Sequence, residues 1–246
     1  MNINRYIPNA FTMGNLFSGM VGTYFAANNS LEIAAYAVLA GIFFDFFDGF
    51  LARKLNAQSE VGLQLDSLAD VVTSGVVPGI IMFQLLNNIN AWGDHTQKIA
   101  ATDWNSLSIL PFFGFAITLA SAYRLAKFNV DERQSESFIG LPTPANALLI
   151  ISLPLILMYQ PNALADNLLT NAYFLLALTI ISCILLNAEI ALFALKFKTW
   201  GVAANKIRYG FLLLSVILLF SLQFLAIPLI ILLYVLISLL SHKSTS

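Results

Sequence analysis

Four aspartates, Asp45, Asp48, Asp66 and Asp70, lie within one otherwise apolar stretch, DFFDGFLARKLNAQSEVGLQLDSLAD. At 3.6 residues per turn, Asp45 and Asp48 share one helix face, and Gly62, Asp66 and Asp70 share a face of the next helix. A short polar turn near Asn56 to Ser59 makes the two helices antiparallel neighbours, so the carboxylates converge on one small volume. A charged side chain at mid-bilayer costs roughly 2.5–3.5 kcal/mol, which puts four unpaired ones at on the order of 10 or more. Arg53 neutralises one of them. The rest need cations, and carboxylate oxygens without His or Cys are hard ligands suited to Mg²⁺, Mn²⁺ or Ca²⁺. Clustered carboxylates holding two divalent ions are a recurrent device for phosphoryl transfer. Structural helix polars, or a cation pathway, are the other readings of the same residues.

The elements that carry these residues belong to a membrane. The chain of 246 residues is 59% hydrophobic and only 10% charged, against about 25% charged in soluble domains. A net charge of −1 gives no argument for nucleic acid. The lone cysteine, Cys183, sits in an apolar run and is read as packing, while His95 and His242 fall in a polar loop and the C-terminal tail, away from other metal ligands. The first apolar segment follows only Arg5 and leads straight into a second, so it is read as a retained helix. No composition break divides the chain, and residues 1–246 are expected to form one domain.

Hydropathy predicts an all-α polytopic bundle of about eight transmembrane helices, preceded by a short amphipathic N-terminal segment over Asn4 to Asn15. The expected spans are Thr12 to Ala27, Leu31 to Leu55, Val61 to Leu86, Leu107 to Phe128, Ala145 to Tyr159, Asn171 to Ala188, Tyr209 to Phe224 and Ala226 to Leu240. Trp92 and Trp104 are expected as interface anchors in the loop after the third span. With both termini on one side, every basic residue except Lys98 lies on that side, which the positive-inside rule makes the cytoplasm. The aspartates then open near the cytoplasmic face of an integral membrane protein, in the inner membrane if the source is bacterial.

Asp45-x-x-Asp48-Gly49-x-x-Ala52-Arg53, followed after eight residues by Gly62-x-x-x-Asp66-x-x-x-Asp70, resembles the CDP-alcohol phosphotransferase signature at each defined position. The resemblance implies that Asp45, Asp48 and Asp66 are metal ligands. It implies that Asp70 is a ligand that also serves as general base, and that two divalent cations, Mg²⁺ or Mn²⁺, are the cofactors. The small residues Gly49, Ala52 and Gly62 let a nucleotide approach the helix backbones, in agreement with the cytidine-binding role the family gives this face. Arg53 carries a planar fork suited to phosphate, or serves as a positive-inside anchor. Pro8-Asn9-x-x-Thr12-x-x-Asn15 resembles the family's segment near the nucleotide-lipid, which implies CDP-lipid contacts from Asn9, Thr12 and Asn15; Asn9 as a simple helix cap is the alternative.

The acceptor is less directly written. Arg124-Leu-Ala-Lys127-Phe128-Asn129 and Gly140-Leu141-Pro142-Thr143-Pro144-Ala145 are similar to runs in the serine-accepting branch of that family. The resemblance implies transfer of a phosphatidyl group from CDP-diacylglycerol to L-serine, with CMP leaving, and acceptor contacts from Arg124, Lys127 and Asn129. Arg124 and Lys127 as snorkelling helix ends, and Gly140 to Pro144 as a rigid turn, remain open. Inositol phosphate or glycerol phosphate is the alternative acceptor. A divalent-cation transporter is the rival class, disfavoured because the C-terminal half shows no second aspartate set. The partners expected are CDP-diacylglycerol, L-serine, the bilayer and, by resemblance, a second copy of the chain.

Overall fold

The computed structural model describes residues 6–89, 109–131, 138–193, 201 and 205–243. The expected anchors Trp92 and Trp104, together with Arg5, His95, Lys98, Lys196 and Lys198, lie outside the described residues, as does the side chain of His242. Among the described residues the fold is helical, with one exception that hydropathy did not show: a two-residue antiparallel ladder in which β1 (Phe138–Ile139) pairs with β2 (Ala191–Leu192).

The amphipathic start and the first expected span are one element, α1 (Ile7–Ala27), with Pro8 in its first turn, where a missing N–H costs nothing. Its buried residues, Pro8, Thr12, Asn15, Ser18, Gly19, Gly22 and Ala26, recur at helical spacing and are small or polar. Helices in a membrane gain little from burying leucine against leucine, and small residues let their backbones approach closely. The second helix, α2 (Leu31–Lys54), lies along this seam and carries Asp45 and Asp48 near its C-terminal end.

A turn with Asn56 at φ 48° reverses the chain into α3 (Glu60–Asp70). Ser59 caps that helix, its Oγ accepting from the Gly62 N–H at 3.0 Å. Immediately after Asp70 the helix widens into a π turn, Val71–Val76, and the Val77 N–H reaches back five residues to the Val72 carbonyl. It resumes as α4 (Val77–Asn87), with Pro78 in the first turn. A Cβ at Gly19 or Gly41 would collide with Thr73, so α1 and α2 both close directly onto the π turn.

A 3-10 segment, Leu110–Phe115, leads into α5 (Ala116–Val130), which packs on the π turn and on α8 (Ala172–Asn187). The sixth helix, α6 (Thr143–Tyr159), is buried through most of its length against α2, α4 and α10. A short helix, α7 (Ala163–Leu169), occupies what hydropathy reads as a loop, and meets α8 at a 73° bend. Asn162 and Asn171 cap the two helices separately, which fixes the corner.

Among the described residues, three helical stretches can cross a membrane by length and apolar composition: Leu31–Lys54, Glu60–Asn87 and Lys206–Leu240; the bent pair Ala163–Leu169 and Ala172–Asn187 makes a fourth. The last of the three is not straight. Gln223 has φ 49°, and the rings of Phe211 and Tyr234 lie 5.7 Å apart, whereas 23 residues of continuous helix would separate them by about 35 Å. The stretch is therefore a hairpin of α9 (Lys206–Leu222) and α10 (Ala226–Lys243). Gln160 clamps its tip, donating to the Leu222 carbonyl and accepting from the Leu225 N–H, each at 3.0 Å.

Candidate functional site

The first three helices enclose a cavity of about 500 Å³ at the α2–α3 turn. Helix α1 supplies Pro8, Asn9 and Thr12; α2 supplies Asp48, Gly49, Ala52 and Arg53; the turn and α3 supply Ala57 to Glu60, Gly62, Leu63 and Asp66. Of the residues expected at the CDP-lipid, all except Asn15 lie on this wall. A Cβ on Gly62 would stand 3.3 Å from Asn9 Oδ1 and 3.0 Å from Ser59 Oγ, so glycine keeps that corner open. At Gly49 the nearest atom to such a Cβ is Arg53 Nη1 at 3.5 Å, which leaves the guanidinium room to lie over the helix. Arg53 is exposed and makes no ion pair among the described residues.

Oxygens of Asp45, Asp48 and Asp66 lie within 4.8 Å of one another, and Asp48 and Asp66 line the cavity. Asp48 Oδ2 and Asp66 Oδ1 are buried without a hydrogen-bond partner. At that spacing each ionised pair repels by roughly 3–4 kcal/mol for an effective dielectric of 20. Three pairs amount to about 10 kcal/mol, comparable to the whole stability of a typical domain. Three hard carboxylate oxygens fit a divalent cation, and among the described residues no His or Cys joins them.

Asp70, one turn further along α3, is buried and lies within electrostatic reach of all three. Asn15 Nδ2 donates to its Oδ1 at 3.1 Å, and Thr73 Oγ1 donates to the Asn15 carbonyl at 3.1 Å. Asn15 is thus fully buried between α1 and the π turn and faces Asp70, not the cavity. Arg124, also buried, lies within electrostatic reach of Asp70, with its Cζ 5.9 Å from the Phe128 ring centroid.

The other two expected acceptor contacts are engaged elsewhere. Lys127 pairs with Glu189 at 3.3 Å, and Asn129 exchanges hydrogen bonds with Ser67, its Nδ2 donating at 2.9 Å. Sequence reasoning missed both links, along with Ser59 and the turn residues on the cavity wall. Ser59 had a readable signal, a serine directly before a helical run. Ser67 and Glu189 had none, because each meets its partner 62 residues away in the chain.

Residues 5–183 match the model of the CDP-alcohol phosphatidyltransferase family. A CDP-diacylglycerol–serine O-phosphatidyltransferase of Bacillus subtilis is 33% identical over 165 residues, covering 65% of this chain and 81% of that protein. A protein of the same name from Helicobacter pylori is 34% identical over 146 residues, 58% of this chain and 55% of its own length. An archaetidylserine synthase of Methanothermobacter thermautotrophicus is 29% identical over 177 residues, 71% of this chain and 66% of its own. The matched stretch contains α1 to α7, the carboxylates and most of α8. The chain belongs to the CDP-alcohol phosphatidyltransferase family.

Proposed function

We propose that the protein is a membrane enzyme that transfers the phosphatidyl group of CDP-diacylglycerol to the hydroxyl of L-serine, giving phosphatidylserine and CMP. The observation that carries this reading is the carboxylate trio, two of whose members line a cavity that also offers Gly49, Ala52, Arg53 and Gly62. The relatives named for serine transfer supply the acceptor.

Asn9, Thr12, Gly49, Ala52 and Gly62 receive the cytidine half of the substrate, and Arg53 receives a phosphate through its fork. Asp45, Asp48 and Asp66, completed by Asp70, hold two divalent ions, Mg²⁺ or Mn²⁺, which when bound neutralise the pyrophosphate and the charge on the leaving oxygen. Asp70, steadied by Asn15, takes the proton of the serine hydroxyl as its oxygen bonds to the lipid-side phosphorus. The phosphoanhydride bond to CMP breaks, and CMP leaves with the electron pair. Arg124 faces the serine carboxylate.

The topology we propose has eight spans, with the 3-10 segment plus α5, and each of α9 and α10, crossing in turn. Two groups of contacts support it. Asn88–Asn29, Tyr159–Glu32 and Gln160–Leu222 join helix ends on one side, and Ser67–Asn129 and Lys127–Glu189 join them on the other. Arg53, Lys54 and Lys127 are on the second side, with the carboxylates, and this favours a cytoplasmic site. On family resemblance the enzyme is a homodimer.

The test is incubation of the purified protein with CDP-diacylglycerol, Mg²⁺ and labelled serine, inositol phosphate or glycerol phosphate in parallel. Label from serine is expected in the lipid product. Incorporation of a phosphorylated acceptor in its place overturns the assignment.

A further inference from the structure

On the far side of Asp70 from the nucleotide cavity, the π turn, α5 and α6 meet. Their buried side chains there are polar and short of partners. Arg124 is 6% exposed, and its Nε and Nη2 make no hydrogen bond. Those two nitrogens form one edge of the guanidinium, with parallel N–H groups at the spacing of two carboxylate oxygens. Ser121, one turn earlier on the same face of α5, is fully buried with its Oγ unpartnered. It lies against the π turn, its Cβ 3.2 Å from where a Cβ on Gly75 would be. Asn146, on α6, is fully buried, and neither its Oδ1 nor its Nδ2 has a partner.

Unpaired buried donors and acceptors are exceptions in folded proteins, and each calls for an occupant. Here a free guanidinium edge and a free hydroxyl on α5 and a free amide on α6 belong to elements packed on one another and on the π turn, and Arg124 lies within electrostatic reach of Asp70. We propose that this junction is the acceptor chamber, in which the Nε–Nη2 edge of Arg124 binds the carboxylate of the amino acid, and Asn146 Oδ1 with Ser121 Oγ binds its ammonium group. The proposal rests on the serine reading and deepens it. The combination suits a zwitterion. A phosphorylated acceptor needs a second cation, and Lys127, one turn further along α5, is held by Glu189. A neutral polyol leaves the guanidinium edge without an anion. Lys127 and Asn129 then act as ties between α5 and its neighbours and do not touch the acceptor.

The test is steady-state kinetics with each substrate varied in turn. Asn146→Leu and Ser121→Ala are expected to raise the KM for serine about tenfold or more, the effect of losing a hydrogen bond to a charged group. The KM for CDP-diacylglycerol is expected to stay within about twofold. Asn146→Asp, which keeps an oxygen towards the ammonium, retains serine binding. An unchanged serine KM in the Leu and Ala variants, or equal rises in both KM values, overturns the chamber. Serinol, which lacks the carboxylate, decides the matter on the wild-type protein if a variant does not fold: it competes poorly if Arg124 reads the carboxylate, and as well as serine if the proposal is wrong. Failure of the wild type to make phosphatidylserine sinks the serine reading itself. Turnover with an unaltered serine KM in the variants sinks only the chamber.

Discussion

Helix α1 buries Pro8, Thr12, Asn15, Ser18, Gly19 and Gly22, whereas α9, four residues shorter, buries only Phe211. Both are helices of a membrane protein, and they attach to it differently. Small residues bring α1 into backbone contact with α2 and the π turn, and two of its polar side chains donate inside: Asn15 Nδ2 to Asp70 and Thr12 Oγ1 to the Pro8 carbonyl. α9 is held by rings, Phe211 packing edge-on to Phe193 and against Tyr234, and shows its leucines outward. Lipid is as good a solvent for leucine as another helix is, so an outward apolar face demands no partner. Close approach places polar groups to within an ångström; an aromatic clasp only keeps a helix nearby. The family match extends to residue 183 and stops before the clasped hairpin.

That contrast can be broken at its strongest point first. Asp48→Asn removes a charged ligand from the trio and is expected to lower turnover by at least about 10²-fold, beyond the range of changes to groups that merely support a metal ligand. Chelator is expected to abolish wild-type activity, and Mg²⁺ or Mn²⁺ to restore it. Full turnover in excess chelator would show that the carboxylates hold no required ion. Gly41→Val tests the close approach. Its side chain meets Thr73, and even a Cβ stands 2.9 Å from Asn15 Oδ1. Overpacking of this kind costs about 1–3 kcal/mol. A lowered midpoint in thermal unfolding is expected together with lost activity, because Asn15 holds Asp70. Wild-type stability in that variant would mean the helices can separate without loss. Phe220→Leu is the smallest change. Phe220 is 86% exposed on α9, and such surface substitutions stay within about 0.5 kcal/mol. Activity and unfolding in detergent should match wild type, and a clear loss would give the hairpin a part in the site or in assembly.

The carboxylate cluster was legible because local spacing decides it: two short helices and one turn bring Asp45, Asp48 and Asp66 together whatever the rest of the chain does. The same holds for Gly49, Ala52, Arg53 and Gly62, which lie on the cavity wall as their helical phase requires. Asn15 was read in the right phase and towards the wrong neighbour, since its partner lies 55 residues away across an interface that no local pattern describes. Lys127 and Asn129 fail to separate for the same reason: a basic and a polar residue at a helix end look alike whether they meet a ligand, Glu189 or Ser67. Helix limits followed hydropathy closely. The corner between α7 and α8 did not, because paired asparagine caps, not apolarity, define it.

The π turn between α3 and α4 fits an extra residue into a helix that is otherwise regular. Helical phase advances by about 100° per residue, so the turn works as a phase shifter on a continuous rod. Upstream, the rod presents Gly62, Asp66 and Asp70 on one line; downstream it presents the buried Ile81, Met82 and Leu85. Removing the extra residue would rotate the downstream line by about 100° relative to the carboxylates. The length of this segment therefore carries as much information as its residue types. A chain of this kind can vary in the loops that join its helices, but a gain or loss of one residue between Asp70 and Pro78 would turn either its carboxylates or its anchor away from the core.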